Sequence, residues 1–263
     1  MAGKDGNIGA KRAREARDAL GLGQDGPLDD VLAVVEQVGG AQVLVLELPE
    51  NLAGAYFKRA GAPILVVRGT EYLPRQRFTL AHEFGHFRMG HEAVVDKREV
   101  IFGGEARDPH EIQANAFAAE FLVPKQALIA WNARRPWTQI TLEHVVELAA
   151  AYGVSAKTMR IRLATCGCLT DSALLDRLDA EIDDKLHLEL LEQLGLTPVQ
   201  DSLAAAAQHL PRLPGAIRNS QLGDLLLGLA TPESVAAQSG LPVERVRSSL
   251  AAIGVDQLLP GSG

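Results

Sequence analysis

Two histidines four residues apart, with a glutamate after the first, make His82-Glu83-Phe84-Gly85-His86 the segment of this sequence best suited to chemistry. On a helix that spacing brings both imidazoles onto one face, where two ring nitrogens can share one Zn²⁺. Zinc held in this way lowers the pKa of water to about 7, so the carboxylate of Glu83 can take the water's proton and later pass it to a leaving amine. H-E-x-x-H is on those grounds a zinc-peptidase signature, although five letters also arise by chance on ordinary helices.

A catalytic zinc needs three protein ligands and one open position. In the metzincin pattern the third ligand would be a His at position 92, but the sequence has Met89 and Glu92 where Gly and His would stand, which disfavours that class. His91, beside Gly90, reads as a helix-end residue. Glu111 is the better candidate for the ligand. With Asn115 four residues on, it shares a helical face that continues through Ala118 and Leu122, so Asn115 could orient a metal-bound side chain by a hydrogen bond. The spacing supports a second role equally well, since Asp108-Pro109-His110-Glu111 also reads as an N-cap, a Pro at N1 and a capping-box Glu at N3. Glu92, Glu99, Glu105 and Glu120 remain alternatives, with Glu120 reading as a surface partner or strand contact.

Two further sets of side chains bear on such a site. A donor must steady the developing oxyanion, and Tyr56, Tyr72, His91 and His110 are the candidates, packing being the simpler role for each Tyr. Cys166 and Cys168 are too close in sequence for an ordinary unstrained bridge. One of them, as a thiolate, could block the open zinc position as an inhibitory thiol; the simpler role is that of small core residues.

The elements that must position these groups read as α+β. Amphipathic helices are expected over residues 11–20 and 28–38, followed by three β-rich segments at 42–48, 53–58 and 63–68. The signature helix starts near Pro74 and ends at Gly90. A loop with Gly103-Gly104 leads to a second helix over 109–122 that stops before Pro124. Residues 131–137 read as a connector, and everything after them as helical. A weak repeat at an offset of 87 residues relates two helix-turn-helix-like segments, 142–163 and 232–253, and 172–194 reads as one acidic amphipathic helix. Three regions are expected: a peptidase domain over 1–135 with a small antiparallel or mixed sheet, a helix-turn-helix-like segment over 136–169, and an acidic all-helical domain over 170–263.

At 47% hydrophobic and 22% charged, the 263 residues can bury a core. No apolar run reaches the roughly 18 residues of a membrane span, and residues 1–5 lack a signal-peptide stretch, so a cytoplasmic protein with no membrane partner is expected. The net charge of −7 is uneven, with 6 Lys+Arg against 13 Asp+Glu in residues 171–263. That acidity disfavours generic nucleic-acid binding there, while Lys157, Arg160 and Arg162 give the first helical pair some basic character.

Arg75-Gln76-Arg77-Phe78-Thr79-Leu80-Ala81-His82-Glu83-Phe84-Gly85-His86, followed by Glu111-Ile112-Gln113-Ala114-Asn115-Ala116-Phe117-Ala118-Ala119-Glu120-Phe121-Leu122-Val123-Pro124, resembles the ImmA/IrrE metallopeptidases over about residues 10–165. The resemblance implies a gluzincin-like zincin fold, with His82, His86 and Glu111 as zinc ligands and Glu83 as general base; Mn²⁺ suits a similar donor set. It also implies a partner: such enzymes cleave a repressor of the helix-turn-helix type, often encoded nearby, and so induce genes of mobile elements, prophages, DNA-damage responses or defence. One departure is Arg68, which stands where the strand before the signature helix commonly ends in Asn. A substrate segment is expected along an edge of the sheet at residues 63–68. Three functions follow as expectations: a site-specific protease acting on a repressor, a zinc-containing DNA-binding regulator, and a non-proteolytic adaptor on a peptidase scaffold.

Overall fold

Alternating β-branched residues build the sheet on which the site rests. The computed structural model describes residues 3–59, 61–97, 101, 108–134, 139–196, 224–225, 228–239 and 242–252. Within them β1 (Gln42–Leu46), β2 (Leu52–Arg59), β3 (Ala62–Arg68) and β4 (Val94–Lys97) form one mixed sheet in the order β1-β3-β2-β4. β1 buries only alternate residues, Val43 and Val45, as a strand with one covered face should. β3 instead buries three in a row, Leu65, Val66 and Val67, because it is central, parallel to β1 and antiparallel to β2. The expected substrate edge at residues 63–68 is therefore corrected: both sides of β3 are paired, and the edge strands among the described residues are β1 and β4.

α3 (Leu73–Met89) lies across β2 and β3, and α4 (Pro109–Leu122) packs against α3. Phe84 of α3 meets Phe117 and Phe121 of α4, with ring centroids 6.0 and 5.5 Å away. The non-metal positions of the motif thus hold the two helices together. α1 (Lys4–Ala19) begins seven residues earlier than its apolar period suggests, since Gly6 and Gly9 belong to it. Gly9 sits where any Cβ would run into the carbonyl of Gln113, so glycine is what lets α1 lie close along α4. The expected helix over 28–38 is a short turn, α2 (Val31–Ala33), that widens into a π-type turn over Val34–Val38.

Buried guanidiniums clasp these layers. Arg17 donates to the carbonyls of Phe121, Gly23 and Gly26, and Arg77 to those of Leu28, Asp29 and Tyr152. Arg68 is tied down as well, donating to Pro49 O and Thr70 Oγ1 at 2.6 Å each.

Beyond α5 (Lys125–Arg134) come α6 (Leu142–Tyr152) and α7 (Ala156–Thr165), joined through Gly153, whose left-handed φ of 61° makes the tight turn. The expected single helix over 172–194 is two, α8 (Ser172–Asp183) and α9 (Leu186–Gln193), broken where Lys185 takes a φ of 64°. The break lets α8 pack on α7 while α9 packs on α6. The chain divides into two compact units, Met1–Arg212 and Leu213–Gly263. In the second, α10 (Pro232–Ser239) and α11 (Val243–Ala252) share a small core of Val235, Ala236, Val246 and Leu250 with Leu225. No helix among the described residues is long and apolar enough to cross a membrane. The expected connector over 131–137 is helical through Arg134, as the end of α5, and its residues 135–137, the Gly103-Gly104 loop, Glu99 and Glu105 lie outside the described residues.

Candidate metal centre

α3 enters with Pro74 in its first turn and stops at Gly90, whose φ of 73° no β-branched residue would adopt cheaply. The motif therefore sits mid-helix, and His82, Glu83 and His86 are all 0% exposed. Their four-residue spacing brings His82 Nε2 and His86 Nε2 to 3.0 Å. Glu111, in the first turn of α4, sets its two carboxylate oxygens 3.2 Å from His82 Nε2 and 3.4 Å from His86 Nε2. The N-cap of α4 is Asp108, which accepts from His110 N at 2.7 Å.

A fourth group, Asp96 of β4, was not picked out from the sequence. Its Oδ2 lies 3.2 Å from His82 Nε2 and 3.7 Å from His86 Nε2, and the residue is 3% exposed. One donor atom from each of His82, His86, Asp96 and Glu111 falls within 4.8 Å of all the others. Asp96 Oδ2 and Glu111 Oε2 are nonetheless buried without a hydrogen-bond partner. Four donor groups crowded together, with two carboxylate oxygens left without a hydrogen bond, face a common point. A tetrahedron with metal–nitrogen bonds of about 2.0–2.1 Å has edges of about 3.3–3.4 Å, and the separations here bracket that length. The donor set fits a divalent cation that takes nitrogen and oxygen ligands.

The far sides of both imidazoles are engaged. His82 Nδ1–H donates to Asn115 Oδ1 at 3.0 Å, which leaves the Nε2 lone pair facing inward. His86 Nδ1 meets His91 Nδ1 at 2.9 Å, and His91 Nε2 is 3.3 Å from Gln113 Oε1. Burial, then His86 and His110, lower the His91 pKa to about 4, so His91 is neutral at pH 7. A neutral His91 that donates to Gln113 accepts from His86 Nδ1–H, and this again turns a lone pair inward. Gln113 Nε2 in turn donates to Asp5 Oδ1 of α1 at 2.9 Å.

The remaining sequence candidates fall elsewhere. Tyr56 is buried against Phe87, its hydroxyl without a partner, and Tyr72 is 42% exposed at the start of α3. His110 is exposed and stacks on His91. Glu92 is exposed. Glu120 is buried at 2% exposure and paired with the buried Arg162, a correction to its reading as a surface or strand contact. Cys166 caps the C-terminus of α7 and Cys168 follows two residues on, their sulfurs 3.1 Å apart, near Lys125 and Arg162. Neither is among the four converging groups.

Gly54 of β2 opens the floor of the site. It pairs with Asp96 across the β2–β4 ladder, beside a bulge, and a Cβ there would come within 2.5 Å of Glu83 Oε1 and 2.7 Å of Thr79. The missing side chain is the space Glu83 uses. Gly54→Ala is expected to push Glu83 out of place, so that hydrolysis falls more than tenfold while metal content by atomic absorption is unchanged.

Electrostatics separate the two glutamates. Burial opposes the ionisation of Glu111, but His82 and His86 outweigh it and hold the carboxyl at about 2. Burial also opposes the charging of His82, and Asp96 with Glu111 outweighs it and raises the pKa. For Glu83 burial acts in the same direction as the Asp96 and Glu111 carboxylates, and its pKa is raised well above the usual range. A carboxyl whose folded-state pKa exceeds the unfolded one stabilises the fold below the unfolded pKa and loses that contribution as pH rises through the folded pKa. In chelated protein, Glu83→Gln should therefore raise the melting temperature at pH 7, and the gain should vanish near pH 4; equal melting at both pH values would contradict it.

Compared with known proteins, residues 40–164 match the family model of the IrrE N-terminal-like domain, Peptidase_M78. The match bears out the resemblance carried by the two sequence blocks. No curated protein matches the chain.

Proposed function

Because residues 40–164 match the IrrE N-terminal-like domain of the M78 peptidases, we propose that this chain is a zinc-dependent endopeptidase that cuts a helix-turn-helix repressor and so induces the genes it silences. The observation that carries this reading is the convergence of His82, His86 and Glu111 beside a buried Glu83 that has no hydrogen-bond partner of its own. His82, His86 and Glu111 would hold the cation. The M78 family is zinc-dependent in general, and the donor set suits that ion. When bound, it supplies Lewis acidity, which acidifies water and polarises a carbonyl.

The protein's own groups do the rest. Glu83 takes the proton of the attacking water and returns it to the leaving amine; its raised pKa in the metal-free chain is the burden that a nearby cation would relieve. Asn115 and His91 keep the two imidazoles in the ligand-ready tautomer. β4, the edge strand that carries Asp96 beside the site, offers its backbone to an extended substrate segment. A DNA-binding role has weaker support: Lys157 and Arg160 of α7 already pair with Asp179 of α8, and Arg162 is buried against Glu120.

The test is incubation of the zinc-loaded full chain with the helix-turn-helix repressors of the same cell. One new N-terminus by mass spectrometry, absent with chelator and with Glu83→Gln, is expected. Repressors all left intact beside a fully zinc-loaded enzyme would count against this function.

A further inference from the structure

We propose that Asp96 is a fourth protein ligand, so that the resting centre is a closed His82-His86-Glu111-Asp96 set whose last position must be vacated before water enters. The inference rests on the metal-centre reading above and goes one step past it. Three ligands would leave one vertex of the tetrahedron open. Here that vertex is filled from the sheet: Asp96 Oδ2 stands 3.2 Å from His82 Nε2 and 3.7 Å from His86 Nε2, much as the Glu111 oxygens stand at 3.2 and 3.4 Å. An oxygen that is buried with no hydrogen-bond partner, beside two inward-facing imidazole nitrogens, is explained by a cation it coordinates.

The backbone makes the placement deliberate. On β4, Val95 is 64% exposed whereas Asp96, the next residue, is 3% exposed, so the strand's alternation turns the carboxylate inward. Its ladder partner is Gly54, the residue whose missing side chain leaves room for Glu83, and Asp96 and Glu83 occupy the same pocket above it. β4 is also an edge strand, paired on one side to β2. An extended segment docking on that edge would bear directly on the strand that carries Asp96. The fourth ligand is thus delivered by the element a substrate would touch.

The test uses the full chain reconstituted with one equivalent of Co²⁺, followed by visible absorption with added azide, and with Zn²⁺, followed by competition against a chromophoric chelator. Wild-type protein should show a four-coordinate Co²⁺ spectrum that azide leaves unchanged. Asp96→Ala and the isosteric Asp96→Asn should each expose a position that azide fills, shift the spectrum, and weaken zinc binding at least tenfold. His82→Ala should lose the metal altogether. If wild type already responds to azide as the Asp96 variants do, and their zinc affinity equals that of wild type, Asp96 is no ligand, while the three-ligand centre stands. If His82→Ala keeps the metal, the centre itself is wrong. Should Asp96→Ala fail to fold, Asp96→Asn, which removes the charge and keeps the shape, decides the matter.

Discussion

The Glu83→Gln chain is expected to bind one zinc ion as tightly as wild type and to hydrolyse its substrate about 10²–10⁴-fold more slowly, the span over which a positioned general base contributes. Two features of the site make that separation clean. Glu83 projects from the same turn as His82 but is not one of the four converging donors, so its loss leaves the ligands in place. Its carboxylate is fully buried with both oxygens unbonded, and Gln fills the same volume without the basicity. Metal content by atomic absorption, set beside initial rates, checks both halves. His82→Ala, by contrast, should lose metal and hydrolysis together. Wild-type turnover by Glu83→Gln would remove the general base from the mechanism and leave the peptidase reading without its proton carrier.

The largest stability effect is expected far from the metal. Arg162→Met should destabilise the fold by about 3–5 kcal/mol, because it leaves Glu120 charged in the core without its principal partner. Glu120 is 2% exposed and Arg162 6%, and the pair joins α4 to α7. Arg162 Nε also donates to Val123 O at 2.8 Å, which secures the chain where α4 ends. Arg14, at 3.4 Å from Glu120, is itself half exposed and replaces only part of what is lost. For a unit of this size the change corresponds to a fall in melting temperature of about 6–20 °C, readable by calorimetry. Replacing both residues with apolar ones should recover most of that loss, since a buried ion pair is costly to break but not costly to replace. If Arg162→Met melts with the wild type, the Glu120–Arg162 pair does not hold α4 to α7.

How much of this was legible depended on the range over which each signal acts. Helix periodicity and punctuation are local, so the signature helix was read within a residue or two of Leu73–Met89, and α4 was read at Pro109–Leu122. The three early strands were read closely for the same reason. Their pairing was not. β1 and β3 are parallel with β2 on the far side of β3, and nothing within residues 63–68 says that both flanks are occupied. The break at Lys185 escaped because neither Gly nor Pro marks it, and only the contacts of α8 with α7 and of α9 with α6 reveal two helices. Glu120 shows the same limit: next to an exposed helix face it reads as solvated, yet Arg162, 42 residues later, makes it a core residue.

By itself the sequence determined the chemistry on offer: two imidazoles and a carboxylate on one helical face, and an acidic residue with an amide on the next helix, all set by the 3.6-residue turn. Only the tertiary structure decided that Asp96 joins them. It lies on a four-residue edge strand too short for a period to register, and its partner Gly54 is 42 residues away. The physical reason is that helical neighbours are fixed by local geometry, whereas strand neighbours are fixed by hydrogen bonds between distant segments, and those exist only once the chain has closed on itself.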